Sequence, residues 1–177
     1  MKDTARGECP VTMNFAIQEL PADLYNDFIT DVDKTKIEEN KMKHITVSGA
    51  IILRTNPQTQ KKEIFATQRG YGDYKDGWEI PGGKLEAGET PEQCIVREIR
   101  EELATEIKAE KVLGVVDYDY PAFHLTMHCI LCSIVSGKLE LLEHEAARWL
   151  TKETLRSVDW LPADQLILDK IEKLLSF

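Results

Sequence analysis

Three carboxylates on one helical face constrain this chain more than any other feature. From Pro81 to Leu103 the sequence reads PGGKLEAGETPEQCIVREIREEL. Thr90 suits an N-cap, Pro91 the first helical position, and Gln93 completes a capping box, so a helix is expected from Pro91 onward. Ile95, Ile99 and Leu103 recur every fourth residue as an apolar stripe to bury. Glu98, Glu101 and Glu102 stand at i, i+3 and i+4 and share another face. Like charges this close destabilise an isolated helix, so a cation is expected against them. Ligands made only of oxygen suit Mg²⁺, with Mn²⁺ able to substitute, better than zinc. By themselves the three glutamates equally describe a solvated acidic face. The preceding Gly82-Gly83, which lets backbone approach a ligand closely, favours a metal platform for a phosphate-bearing substrate.

With 177 residues the chain has room for one domain with a real core. Its net charge of −9 argues against nucleic acid or an anionic membrane surface as a partner, and means that an anionic substrate needs a metal to approach the acidic face. No apolar run reaches the ~18 residues of a transmembrane helix, and the N-terminus lacks the basic-then-apolar pattern of a signal peptide, so the expected compartment is the cytoplasm. Cys9 and Cys94 are isolated. Cys129 and Cys132 form a CxxC, but in the strand-like stretch FHLTMHCILCSIV they would point to opposite faces. With no second CxxC they are expected in the core rather than on zinc.

Residues 1–41 are expected as an N-terminal extension, an accessory helix, an oligomer contact or a poorly ordered segment, with a short helix over Ala22–Thr30 and no catalytic pattern, and dispensable for catalysis; MKHITVSGAIIL from Met42 reads as a natural domain start. The domain is placed at 42–177. A strand is expected over 44–54, a turn at NPQTQ, and a returning strand at KKEIFATQR, which makes a hairpin. Gly70 to Gly77 is a loop, a candidate lid or a plain connector, and Trp78-Glu79-Ile80 a short strand feeding the glycine loop. After the helix come strands over Lys111–Tyr120 and Phe123–Val135, and a last short one in the stretch from Glu143 to Leu150. Thr151 begins a small helix and Pro162 a terminal one, with Ile167, Leu168, Ile171, Leu174 and Leu175 as its buried stripe.

The central stretch resembles the Nudix box, Gly-x5-Glu-x7-Arg-Glu-U-x-Glu-Glu-x-Gly-U with U aliphatic, and Gly83, Glu89, Arg97, Glu98, Ile99, Glu101 and Glu102 match it. Ala104 stands for the final glycine and Thr105 for the final aliphatic residue. A glycine there lets the helix end in a left-handed turn, a conformation that costs alanine about 1 kcal/mol. The resemblance covers roughly residues 42–175 and is closest to the MutT type and to CTP pyrophosphohydrolases, through TQRG, WEIPGGKLEAGETPEQ and LPAD. It implies the Nudix fold, an α/β class with a mixed sheet in an α/β/α sandwich, matching the order of elements. It also implies metal-dependent hydrolysis of a nucleoside triphosphate, a cytosine nucleotide or an oxidised dNTP, to the monophosphate and pyrophosphate.

By the same resemblance Glu98 and Glu102 are the leading metal ligands, with Glu101, the Gly82 carbonyl and, outside the box, Glu143 joining them. Glu140 and Glu145 compete with Glu143 in one loop. Glu98 is the first choice of general base, with Arg97 orienting a box carboxylate. Arg69 and Lys84 would hold phosphate oxygens, Phe123 would stack on the base, and Asp164 would read it. Asp164 stands where the MutT type carries Asn, and an ionised carboxylate only accepts hydrogen bonds, which suits cytosine's amine. Capping of the terminal helix is its alternative role. His124 and His128 share a strand face without a visible carboxylate partner and are expected at a core or edge position. Hydrolysis of ADP-ribose or another diphosphate derivative, and a nucleotide-sensing module without turnover, are the competing functions. The chain is expected to act as a monomer or homodimer.

Overall fold

The computed structural model describes residues 42–176; the extension 1–41, with its expected helix at Ala22–Thr30, lies outside them. The elements run β1 (Lys43–Thr55), β2 (Lys62–Gln68), β3 (Trp78–Glu79), β4 (Gly82–Lys84), α1 (Pro91–Leu103), β5 (Glu106–Tyr120), β6 (Phe123–Ser136), β7 (Ala146–Thr151), α2 (Pro162–Gln165) and α3 (Leu168–Leu175). Among the described residues the seven strands order as β3-β2-β1-β6-β5, with β4 paired to β1 and β7 to β2. The sheet is mixed: β1 runs parallel to β6 from Lys43↔Phe123 to Ile52↔Cys132, while β1–β2 and β5–β6 are antiparallel.

Strand β1 is apolar on both sides because both sides are covered. Ala50 and Ile52 point to one face, into a core with Ile95, Ile99 and Leu103 of α1. Ile51 points to the other, into a core with Ile167, Leu168 and Ile171 of the terminal helices. This gives the expected α/β/α sandwich. Cys129 and Cys132 divide between the two cores as the strand period requires, and burial pushes both thiols up to about 12. Among the described residues no helix is long and apolar enough to cross a membrane.

The β1–β2 hairpin turns where expected. The Asn56 carboxamide oxygen accepts from the backbone N–H groups of Gln58 and Thr59 at 2.9 and 3.1 Å. Four expectations are corrected. The glycine loop is partly strand: β4 pairs with β1 in the register Ser48↔Gly83. Strand β5 begins at Glu106 rather than Lys111, because bulges at Ala109/Lys111 and Val112/Gly114 break its alternation. Thr151 opens turns rather than a helix. The terminal helix is two segments, since the Leu166 and Ile167 N–H groups bond three residues back, to Ala163 and Asp164, and tighten the chain between them.

Helix α1 carries its expected capping box and ends with Ala104 at φ 48°, ψ 37°, so the left-handed cap forms although the residue is alanine. The departure at Thr105 has its own structural use. Thr105 is buried; its Oγ1 donates to the Leu103 carbonyl at 2.9 Å and accepts from the Leu139 N–H at 2.8 Å. The hydroxyl thus ties the loop after β6 to the end of α1, which an aliphatic side chain does not do. Replacing Thr105 by Val strands the Leu139 N–H, and the loss of one buried partner costs about 1–3 kcal/mol. Urea denaturation of T105V should show a loss of that size; a change under about 0.5 kcal/mol would refute the role of the hydroxyl.

Candidate functional site

The site begins with backbone. Gly82 has φ 152°, and a Cβ there would strike the Ser48 carbonyl on β1; one on Gly83 would strike the Glu98 carboxylate. Only residues without side chains let α1 lie this close to β4. Ser48 Oγ donates to the Pro91 carbonyl at 2.9 Å, which fixes the start of the helix over β1.

Arg97 organises the acidic face. Its Nε and Nη2 clamp both Glu89 oxygens at 2.9 and 2.8 Å, and Nη1 reaches Glu98 at 2.6 Å and Glu101 at 3.3 Å. Nη2 also donates to the Lys84 carbonyl at 3.1 Å, tying helix to glycine strand. Glu98 is largely covered, at 14 % side-chain exposure, whereas Glu101 is open at 59 %. The Arg97 guanidinium, with the Glu86 N–H, holds the Glu89 carboxyl down to about 2.

Beside this face lies a cleft of about 480 Å³. Gly82, Gly83, Lys84, Glu102 and Glu143 form one end, and Tyr74, Tyr120, Phe123, Leu125 and Met127 the apolar other end. Arg69, Glu79, His144 and Asp164 also line it. Of the three competing glutamates only Glu143 reaches the cleft, because the N–H groups of Glu140 and Leu142 bond the Leu103 and Glu102 carbonyls at the end of α1 and steer the loop. Glu98, Glu101 and Arg97 lie outside the cleft lining, on the adjoining helix face. Among the described residues Glu102 Oε2 is buried without a hydrogen-bond partner, and burial, followed by the charges of Glu98, Glu143 and Glu79 against that of His144, pushes this carboxyl up to about 7.

Arg69 does not present a free guanidinium. It is held by Glu79, with Nη2–Oε2 at 2.5 Å and Nε within 3.3 Å of both oxygens. On the far side of Glu79, His144 Nε2 lies 3.6 Å from Oε1, and His144 Nδ1 is buried without a partner. Burial alone would lower His144, but Glu79, Glu102 and Glu143 outweigh it and raise its pKa. Sequence reasoning missed Glu79 and His144. The one signal available was their closeness to WEIPGG and to Glu143, and neither has a spacing that points at the other.

Asp164 is not a helix cap, since Leu161 holds that position. Its Oδ1 instead accepts from the Ile80 N–H at 2.9 Å, which joins α2 to the glycine strand. Burial pushes its carboxyl up to about 7 against the pull of that N–H. Phe123 stacks on Tyr120, centroids 4.9 Å apart. His124 departs from expectation by finding carboxylates, Asp119 at 2.6 Å and Asp117 at 3.5 Å, but away from the cleft lining.

The residues fit a hard divalent cation in donor chemistry: glutamate oxygens, a bare glycine backbone against Glu98, and an orphaned buried oxygen on Glu102. Among the described residues no three His, Cys, Asp or Glu side chains converge into a ready-made cage, and Glu98 is turned instead to Arg97.

Comparison with known proteins gives the same picture. Residues 45–174 match the family described as NUDIX domain. The chain is 31 % identical over 134 residues to the 8-oxo-dGTP diphosphatase of Escherichia coli K12, spanning 75 % of this chain and 100 % of that protein. It is 30 % identical over 128 residues to the CTP pyrophosphohydrolase of the same organism, 72 % of this chain and 91 % of that one. Among solved structures, the E. coli ORF135 protein superposes with a TM-score of 0.63 at 30 % identity, covering 75 % and 91 % of the two chains. A MutT NUDIX hydrolase from Burkholderia pseudomallei superposes at 0.62 with 28 % identity, covering 73 % and 98 %.

The Glu89–Arg97 clamp makes a pH prediction. Its depressed carboxyl contributes stability that is present above the ordinary glutamate value of 4.5 and is lost as pH falls through about 2. E89Q should therefore unfold at lower urea than the parent at pH 7, with the gap closing between pH 4.5 and 2. A gap that is absent at pH 7, or undiminished at pH 2, would contradict the clamp.

Proposed function

The chain belongs to the NUDIX domain family and is a Nudix hydrolase of the pyrophosphohydrolase kind, and from that premise we propose that it hydrolyses a nucleoside triphosphate, a cytosine nucleotide or an oxidised dNTP, to the monophosphate and pyrophosphate. One observation supports the reading: one cleft is lined both by aromatic and apolar side chains that suit a base and by an acidic, glycine-walled stretch that suits metal-bound phosphates. Glu98, Glu101, Glu102, Glu143 and the Gly82 carbonyl are the residues that would hold Mg²⁺, or Mn²⁺ in its place. When bound, such an ion would supply neutralisation of phosphate charge and a more nucleophilic water.

The rest falls to the chain's own side chains. Arg97 fixes the Glu98 carboxylate through Oε1, and Glu98 takes the proton of the attacking water on its other oxygen. Lys84 is a solvent-exposed cation at the acidic end and meets the phosphates. Arg69, committed to Glu79, acts on phosphate from that fixed position as a bidentate-capable donor. Phe123 supports the base, and Asp164 reads its edge. The net charge of −9 makes the cation's neutralisation a condition for a triphosphate to approach.

E98Q and E102Q should each lower kcat by about 10²-fold or more while leaving the thermal midpoint near that of the parent, because Ile95, Ile99 and Leu103 on another face of α1 carry the packing. Turnover within a factor of two of the parent would refute the assignment.

Base choice rests on Asp164. Ionised, it accepts from the cytosine amine; protonated, it donates to an oxo group, and a carboxyl raised to about 7 has both forms near neutrality. The proposal is a preference for CTP or dCTP over 8-oxo-dGTP in the parent, and a shift toward 8-oxo-dGTP in D164N, whose Oδ1 still accepts from Ile80. Comparison of kcat/KM for each nucleotide tests it, with discrimination up to ~10⁴-fold open to a hydrogen-bonded site. An 8-oxo-dGTP preference in the parent, or an unchanged ranking in D164N, removes Asp164 as the reader.

A further inference from the structure

The loop between β2 and β3 holds a tyrosine in a conformation that tyrosine disfavours. Tyr74 has φ 64°, in the left-handed region, where a bulky residue is a real outlier. The loop leaves it no alternative. Gly77 N–H donates to the Tyr74 carbonyl at 3.1 Å, and the neck of the loop is closed by Arg69 N–H to the Gly77 carbonyl at 3.0 Å and Asp76 N–H to the Arg69 carbonyl at 2.9 Å. A turn under these restraints is served better by Gly or Asn. The side chain therefore has a use that outweighs the strain of its backbone.

That use is visible in where the ring lies. Tyr74 lines the apolar end of the cleft and meets Tyr120 edge to face, centroids 5.3 Å apart, while remaining 42 % exposed. Tyr120 in turn is stacked by Phe123, and its hydroxyl accepts from the Ala163 N–H at 3.4 Å, one residue from Asp164. A ring braced on one side and half open on the other is placed to cover a flat ligand. We propose that Tyr74 is the nucleobase clamp of this cleft, a substrate-positioning residue whose ring closes over the base from the β2–β3 loop. The inference rests on the proposed function for the identity of the ligand as a nucleotide.

The test separates stacking from folding and binding from turnover. Calorimetric Kd values for cytidine monophosphate, 8-oxo-dGMP and pyrophosphate would be measured on the full chain and on Y74G, Y74N and Y74F, alongside thermal midpoints without ligand. Y74G and Y74N should weaken at least one monophosphate by about ten-fold or more, as loss of an aromatic platform under a base does. Pyrophosphate binding should stay within two-fold. Their thermal midpoints should stay near or above that of the parent, because relief of the left-handed backbone offsets the lost ring contact. Y74F, which keeps the ring, should bind within about two-fold of the parent. Monophosphate binding within two-fold in Y74G and Y74N overturns the clamp, as does equal weakening of pyrophosphate, or a fall in midpoint by which lost folding accounts for lost binding. Tyr74-dependent monophosphate binding by a parent that hydrolyses no triphosphate would sustain the clamp and sink the proposed hydrolysis.

Discussion

Everything at the site depends on two adjacent residues without side chains. Gly82 and Gly83 run as a strand against β1 with α1 pressed on their other side, and any Cβ there would displace either the Ser48 carbonyl or the Glu98 carboxylate. Because that gap is only a backbone wide, α1 brings its acidic face beside exposed peptide groups. The helix is fixed in that position at both ends. Ser48 holds its first turn, and the Glu140 and Leu142 N–H groups take the carbonyls its last turn leaves over. The loop that satisfies those carbonyls also delivers Glu143 and His144 to the cleft, so one hydrogen-bonding need of the helix end builds a second wall of the site.

The charges follow a similar division. On the open side of α1 Arg97 binds four acceptors on three carboxylates and one peptide, and the repulsion among Glu89, Glu98 and Glu101 is offset by one planar donor group. On the cleft side His144 offsets part of the repulsion that Glu98, Glu143 and Glu79 exert on Glu102. Among the described residues Glu102 Oε2 and His144 Nδ1 are the buried side-chain atoms without a hydrogen-bond partner. Buried polar groups left without partners mark places where a ligand supplies the missing interaction.

What was legible in the sequence was what is local. The capping box, the Ile95-Ile99-Leu103 stripe and the Asn56 turn are each written within a few residues, and each formed. The two-faced burial of β1 was legible from its unbroken apolar run. Strand β4 was not, since glycine carries no strand preference and its partner is some thirty-five residues away in sequence. The first half of β5 was hidden by bulges, which erase the two-residue period. The Arg69–Glu79–His144 row was invisible for a different reason. It arises only when β2 pairs with both β3 and β7, which sets Gln68 opposite Trp78 on one side and opposite Ala146 on the other. No spacing rule connects such residues. The carboxylate partners of His124 come from cross-strand pairing of β5 with β6 in the same way.

Among the described residues unmet side-chain polarity gathers at the cleft, and left-handed backbone reaches it through one loop. Left-handed backbone at Tyr74 and Asp76 lies in the loop over the cleft, and at Ala104 it sits beneath the loop that brings Glu143 and His144 in. The raised carboxyls of Glu102 and Asp164 face the same cavity from opposite walls. The two cores are built mainly from apolar side chains in strands and helices, which supply the stability that such local costs draw on. Left-handed backbone occurs elsewhere as well, at Gln60 in the β1–β2 turn and at Leu139 after β6, so what converges on the cleft is the unmet polarity of Glu102 and His144 and the strained backbone of Tyr74. Replacing Tyr74 with a conformationally easier residue would relax that loop and loosen the proposed site together.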